Sequence, residues 1–352
     1  MKESVAQALN ASLGRVLEAD PLAILIGEDV VDPYGGTFKV TKGLSTRYPD
    51  RVRSTPISEG LITGMAAGMA MGGLHPIVEI MFGDFLTLCA DQLVNHLAKY
   101  RWMFNDRVRL PLIIRTPMGG RRGYGPTHSQ SLEKMFCGVP GLRLIAVNRF
   151  THPGTLLERA AALQAPVLFI EHKALYPQAV ADPATRQAAG GSLRVSASPF
   201  PTCQVSWTEF ESADVTVVAY GGMADVVVEA GRRLMLEEEI AVEAILPTHI
   251  KPFDVAPMVD SVERSGRLAV FEEGTSGWGW GREVIYQVLQ RVPEAACCAV
   301  ARGARAFPIG NSKALEDLIL PQAADVAQTV RQLMARPGAG AVRREERGRI
   351  PC

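Results

Sequence analysis

Thr55-Pro-Ile-Ser-Glu-Gly-Leu-Ile-Thr-Gly-Met-Ala-Ala-Gly-Met-Ala-Met-Gly72 places glycines at 60, 64, 68 and 72, every fourth residue and therefore along one helical face. Each glycine inside a helix gives up about 1 kcal/mol relative to alanine. Close approach of another backbone is the usual compensation. In a bilayer such a stripe marks helix dimerisation, but Thr63 and the polar flanks exclude a span. The plainest account is tight helix–sheet packing within one domain. Glu59 stands directly before this helix, where an acid complements the helix dipole and need do nothing more.

Outward from this stretch, apolar runs alternate with helical ones. Val5, Leu9, Leu13, Val16 and Leu17 recur at helical spacing, and Asp20-Pro21 ends that helix. Strands are expected at 22–26, 76–80, 112–114, 142–147 and 167–170, with helices at 60–72, 85–103 and 153–163. After a Ser-, Pro- and Gly-rich stretch the alternation resumes. Strands fall at 214–219, 241–246, 268–271 and 296–300, and helices at 222–236, 281–290 and 322–335. Strands alternating with helices predict parallel sheets covered on both faces. The fold class is therefore α/β with two doubly wound domains, at 1–178 and 212–336. Residues 179–211 read as a linker, and the Gly/Arg-rich 337–352 as a disordered tail.

Composition narrows the function classes. The 352 residues carry 37 basic and 37 acidic side chains, a net charge of zero, so the basic excess of a nucleic-acid binder is missing. The six cysteines lack metal-ligand spacing, and Cys297-Cys298 sits in a strand-like run as small core residues. No apolar run approaches membrane-spanning length, and the start shows neither signal nor transit pattern. A cytoplasmic protein is expected.

The spacing Glu59, Gly64-Met65, Gly68-Met69 resembles the pyrimidine-domain signature of thiamine-diphosphate enzymes. Gly27-Glu-Asp-Val30, Tyr34-Gly-Gly-Thr-Phe-Lys-Val-Thr-Lys-Gly43, Glu79-Ile-Met-Phe-Gly-Asp-Phe85, Asp91-Gln-Leu-Val-Asn95, Arg115-Thr-Pro117 and His128-Ser-Gln-Ser131 extend the likeness. So do Asp214-Val-Thr-Val-Val-Ala-Tyr-Gly-Gly-Met223 and Phe271-Glu-Glu-Gly274. Together they resemble the beta subunit of the decarboxylating component of 2-oxo acid dehydrogenase complexes, of pyruvate, branched-chain or acetoin type. The resemblance implies a thiamine pyrimidine-binding domain followed by a transketolase C-terminal-like domain.

It also implies roles. Glu59 would hydrogen-bond the aminopyrimidine nitrogen of thiamine diphosphate and favour the imino tautomer, which takes the thiazolium proton. A carboxyl group in an apolar cleft keeps its proton for that purpose. The glycine helix would pack at a subunit interface. Phe85 would lie against the aminopyrimidine ring, with Ile57 and Met81 lining the same pocket. His128, after the loop Gly119-Gly-Arg-Arg-Gly-Tyr-Gly125, would act near the substrate carboxylate or the lipoyl group. Arg121 and Arg122 would attract an acidic group or simply be solvated.

The family holds diphosphate through magnesium on a Gly-Asp-Gly element, and none occurs here; Phe82-Gly-Asp-Phe85 lacks the second glycine. No metal ligands are therefore expected on this chain. An alpha subunit would bring the magnesium ligands and complete the cofactor site in an α2β2 tetramer, with a lipoyl acyltransferase as acceptor of the acyl group. The family commonly binds a structural potassium ion near the end of the helix at 153–163, but Leu163 and Ala165 replace an acidic and an amide residue found there in some members, so the resemblance does not carry that ion over to this chain. Ala244–Asp254 and the bulky Trp278-Gly-Trp280 also depart from the family pattern, which weakens the case for docking on an acyltransferase core. Two rivals stand beside oxidative decarboxylation of a 2-oxo acid. One is a split, transketolase-like carbon–carbon ligase using an aldehyde. The other is a scaffold subunit without catalysis.

Overall fold

In the computed structural model, which describes residues 2–336, the first apolar spacing folds as helix Val5–Ala19. Ser4 starts it with a capping box: its hydroxyl accepts the Gln7 N–H, and Gln7 returns a carbonyl oxygen to the Ser4 N–H at 2.9 Å. Leu9, Leu13 and Leu17 are fully buried, each contributing on the order of 1.5–3 kcal/mol. This face meets helix Pro153–Ala161 at Gly154. A Cβ there would lie 2.4 Å from Ser12 Oγ and 2.6 Å from the Ala8 carbonyl, so only glycine allows the contact. The segment 337–352, read above as a tail, lies outside the described residues.

The chain divides into two units. The first comprises the chain up to Ala181 with His249–Pro252 and Pro308–Glu316; the second comprises Asp182–Thr248, Phe253–Phe307 and the chain from Asp317. In the first, the apolar runs form β1 (Ala23–Gly27), β2 (Val52–Ser54), β3 (His75–Glu79), β4 (Ile113–Met118), β5 (Arg143–Ala146) and β6 (Val167–His172). The second contains β7 (Gln187–Ala188), β8 (Gly191–Val195), β9 (Thr202–Ser206), β10 (Val215–Ala219) and β11 (Val242–Pro247). Strand β12 (His249–Lys251) returns to the first unit, and β13 (Leu268–Thr275) and β14 (Ala299–Ala304) complete the second.

The sheets run β12-β5-β6-β4-β3-β1-β2 and β14-β13-β10-β11-β9-β8-β7. The first is parallel except for β12; in the second, β7, β8 and β9 pair antiparallel. Buried on both faces, the central strands are near-continuous apolar runs, as parallel strands must be. The α/β architecture with two sheets is as expected.

Three local readings change. The stretch 179–211 is not merely linker but holds β7 to β9. These lie at a sheet edge, where polar residues blunt further pairing, so their composition mimics a loop. The helix expected over 85–103 is broken into a 3-10 turn (Gly83–Cys89), a π turn (Gln92–Leu97) and a short α turn (Tyr100–Met103). The wide π turn brings His96, five residues on, to 3.2 Å from the Asp91 carboxylate. Cys297-Cys298 lies in a 3-10 turn (Pro293–Cys298) ahead of β14 rather than in a strand, with Cys298 buried and Cys297 exposed.

Candidate active site

The carboxyl-terminal ends of parallel strands are where α/β folds present their ligand sites, and Glu28 follows β1 there. The Thr55 amide donates to the Gly27 carbonyl at 3.0 Å, so the segment leading into helix Glu59–Met71 passes beside Glu28. Glu59 opens that helix and is 5 % exposed. Glu28 is 2 % exposed, and neither of its carboxylate oxygens makes a hydrogen bond. Burial raises its pKa, and the charge of Glu59 adds to the rise.

Two buried carboxyl groups thus lie within electrostatic reach of each other. Ionising Glu28 there is unfavourable. Its pKa is higher folded than unfolded, so the folded state binds more protons, and stability falls as pH rises through the interval above 4.5. Glu28→Gln is therefore expected to raise the melting temperature of the chain at pH 7.5, with the gain shrinking as pH falls towards 4.5. A variant that melts below wild type at pH 7.5 would contradict this account. Sequence alone assigns Glu28 no role, because a single acid after a strand has no pattern; the one signal is an acid directly following a wholly apolar run.

The 3-10 turn Gly83–Cys89 runs between two groups of predicted site residues. At its far end, burial pushes the Cys89 thiol up to about 11, against the Thr63 hydroxyl and with the charge of Glu59, so Glu59 is its electrostatic neighbour. At its near end, the half-buried Phe85 meets His128 edge-on, with ring centroids 5.3 Å apart. At about 2 Å rise per residue the turn separates these two ends by about 8 Å. Phe82 also packs edge-on to His128 at 4.7 Å and to Tyr124 at 5.6 Å. Phe85 and His128 are therefore together, and Glu59 stands across the turn from them. Ile57 is 81 % exposed and Met81 half-buried.

His128 is held from several sides. Thr127 Oγ1 lies 2.9 Å from its Nδ1, which leaves Nε2 facing no partner among the described residues. Asp84 accepts both the Gln130 amide, at 3.2 Å, and the Gln130 side chain, at 2.8 Å. The glycine-rich loop before His128 is pinned where the Gly123 N–H donates to the buried Glu316 carboxylate at 3.1 Å. Sequence reasoning missed Asp84 and Glu316, since an isolated acid usually belongs to the surface.

Helix Glu59–Met71 buries Ile62, Thr63, Ala66, Ala67 and Ala70. Its glycine face turns the other way. A Cβ at Gly60 would crowd the Leu88 carbonyl at 3.2 Å, but one at Gly64 would meet only Gln92 at an ordinary 3.8 Å, and one at Gly68 nothing. Packing within the domain explains Gly60 alone. Among the described residues no group of three or more His, Cys, Asp or Glu side chains is placed to hold a metal ion. No helix among them is long and apolar enough to cross a membrane.

The model of the transketolase pyrimidine-binding domain matches residues 2–178, and that of the transketolase C-terminal domain matches 208–326. Acetoin:2,6-dichlorophenolindophenol oxidoreductase subunit beta of Cupriavidus necator is 32% identical over 343 residues, covering 95% of this chain and 98% of that protein. This chain belongs to the transketolase-like family of 2-oxo acid dehydrogenase beta subunits. Another relative, pyruvate dehydrogenase E1 component subunit beta of Leifsonia xyli, is 33% identical and covers 94% of each chain. A split-gene transketolase solved as an inactive beta4 tetramer aligns with a TM-score of 0.70 at 20% identity, over 94% of this chain and 98% of its own. That likeness concerns the fold. The beta-subunit family is thiamine-diphosphate-dependent, and the corner holding Glu28 and Glu59 lies within the part matched by the pyrimidine-binding domain model.

Proposed function

We propose that this chain, paired with an alpha subunit in an α2β2 tetramer, carries out oxidative decarboxylation of a 2-oxo acid and passes the acyl group to a lipoyl-bearing acyltransferase. The observation that carries the reading is Glu59: a carboxyl group 5 % exposed, at a helix start, beside a second buried carboxyl group with no hydrogen bond. These residues fit an aminopyrimidine. Glu59 offers the acid its ring nitrogen needs, Phe85 a flat apolar surface, and Ile57 an exposed apolar side chain for a second molecule to cover. Met81 lines the same region.

Bound thiamine diphosphate supplies a nucleophilic carbon for the keto group and an acceptor for the electrons left when carbon dioxide departs. The protein's own part is to manage protons and exclude water. Glu59 moves a proton between its carboxyl group and the ring nitrogen. Phe85 covers the ring face and keeps water from that exchange. His128, with Nδ1 engaged by Thr127, presents Nε2 to the substrate carboxylate or the incoming lipoyl group. Magnesium and the diphosphate fall to the alpha subunit. The exposed face at Gly64 and Gly68 supports a partner chain, since nothing among the described residues packs closely against it.

The test is to purify the chain with its alpha partner and follow reduction of a lipoyl domain by 2-oxo acids. Turnover requiring both chains, thiamine diphosphate and magnesium is expected. Turnover with an aldehyde acceptor but none with a lipoyl domain would overturn the acyl-transfer reading.

A further inference from the structure

The feature that the proposed chemistry leaves unused is a wholly buried lysine. Lys173 follows the end of β6 and is 0 % exposed. Lysine is almost never fully buried without a specific partner, because removing an ammonium from water costs several kcal/mol. Its Nζ donates to the backbone carbonyl of His128 at 2.8 Å. The same ammonium lies 5.3 Å from the centroid of the Phe82 ring, the ring that His128 meets edge-on at 4.7 Å. One buried cation therefore touches both supports of His128: its own backbone and the aromatic ring it packs on.

We infer that Lys173 is a positioning residue for His128, fixing the imidazole so that Nε2 points where the substrate or acyl acceptor reacts. The inference rests on the proposed function for what His128 does, but not for how it is held. A charge-assisted hydrogen bond to a carbonyl in a water-poor site is among the stronger non-covalent restraints. It acts here on a segment whose preceding glycine-rich loop is held at Gly123, five residues before His128. Asp84 anchors the same segment two residues on, through Gln130. Lys173 and Asp84 therefore grip either end of residues 128–130. The backbone contact determines where the imidazole starts, and the shared Phe82 ring determines how it tilts.

Lys173→Met keeps length and burial while removing the donor and the charge. Two measurements test it in the complex with the alpha chain. The first is the rate at which diethyl pyrocarbonate modifies His128, read by peptide mass spectrometry with His96 and His152 as internal controls. Release of the segment is expected to change the His128 rate by about threefold or more, the scale of one lost hydrogen bond, with the control rates unmoved. The second is a double-mutant cycle. Lys173→Met is expected to lower kcat about tenfold, as misplacement of a reacting group does, with KM for the 2-oxo acid changed less than about twofold. In a His128→Gln background the same substitution is expected to add less than about twofold.

Lys173→Gln, shorter and neutral but still a donor, should fall between Met and wild type. It replaces Met in both measurements if Lys173→Met does not fold. An unchanged His128 modification rate, or equal losses in the two backgrounds, overturns the inference. If the complex shows no activity towards a lipoyl domain, the proposed function fails while the modification rate still decides whether Lys173 positions His128.

Discussion

Glu59→Gln in the complex with the alpha chain is expected to lower turnover by about a hundred- to a thousandfold, within the range that a positioned acid–base group contributes. The amide is isosteric and can still hydrogen-bond a ring nitrogen, so it keeps contact with the aminopyrimidine. It cannot exchange a proton there, and proton exchange is the whole of the proposed role. The split between binding and rate is therefore the informative measurement. Thiamine diphosphate affinity, followed by quenching of protein fluorescence, should change by less than about tenfold, because the proposed function leaves the diphosphate end to the alpha subunit and the amide keeps the hydrogen bond at the other end. Replacing a buried acid by an amide also removes its repulsion with Glu28, so the melting temperature should hold or rise at neutral pH. Activity within about twofold of wild type would leave Glu59 as a first-turn helix residue and favour the scaffold reading.

The contrast between Glu59 and its neighbours shows what a sequence can disclose. Central strands such as β4, β6 and β10 are legible because burial on both faces demands unbroken apolar runs. Glu59 and His128 stand out because each borders a glycine-rich pattern with a recognisable spacing. Strand β12 is three residues long and pairs with β5, about a hundred positions earlier, and nothing local signals such a partner. β8 and β9 are obscured because an edge strand admits serine, arginine and glutamine. Within the site, Glu28, Asp84 and Lys173 escape notice for one common reason. Their importance comes from burial beside a particular neighbour, and a charged residue looks the same in sequence whether a strand end buries it or water surrounds it.

Arg115 is the extreme case of that rule, and its replacement should have the largest effect on stability. It lies in β4 at 1 % exposure, opposite Glu79 of β3, with Glu171 two positions beyond its partner on β6. Its guanidinium grips Glu171 bidentately, Nε and Nη2 each at 2.8 Å, and its Nη1 pairs with Glu79. The Tyr176 hydroxyl donates to Glu171 at 2.7 Å. Glu79 in turn anchors the turn at Gly36-Thr37 beneath Phe38; a Cβ at Gly36 would lie 2.6 Å from its Oε1. Burial opposes the charge on Arg115, but the two carboxylates outweigh it and hold its pKa above the ordinary value. Burial likewise drives the Glu79 carboxyl up, with Arg115 pulling it down.

Arg115→Met removes the one cation that pairs with these two acids among the described residues and leaves both in the sheet. Breaking a buried ion pair from one side costs about 3–5 kcal/mol, far more than the modest loss of apolar fit. Urea unfolding should show that loss at pH 7.5 and a smaller one at pH 5.5. Stranded carboxyl groups have pKa values raised above the unfolded state, so the variant regains stability as they take up protons. A surface ion pair behaves oppositely, weakening as its acid is protonated. Replacing Glu79, Arg115 and Glu171 together by Leu, Met and Leu should cost less than Arg115→Met alone, because no charge is then left buried. A loss below about 1 kcal/mol for Arg115→Met, or one that grows as pH falls, would mean that water reaches these carboxylates and that β3, β4 and β6 are not tied together by this network.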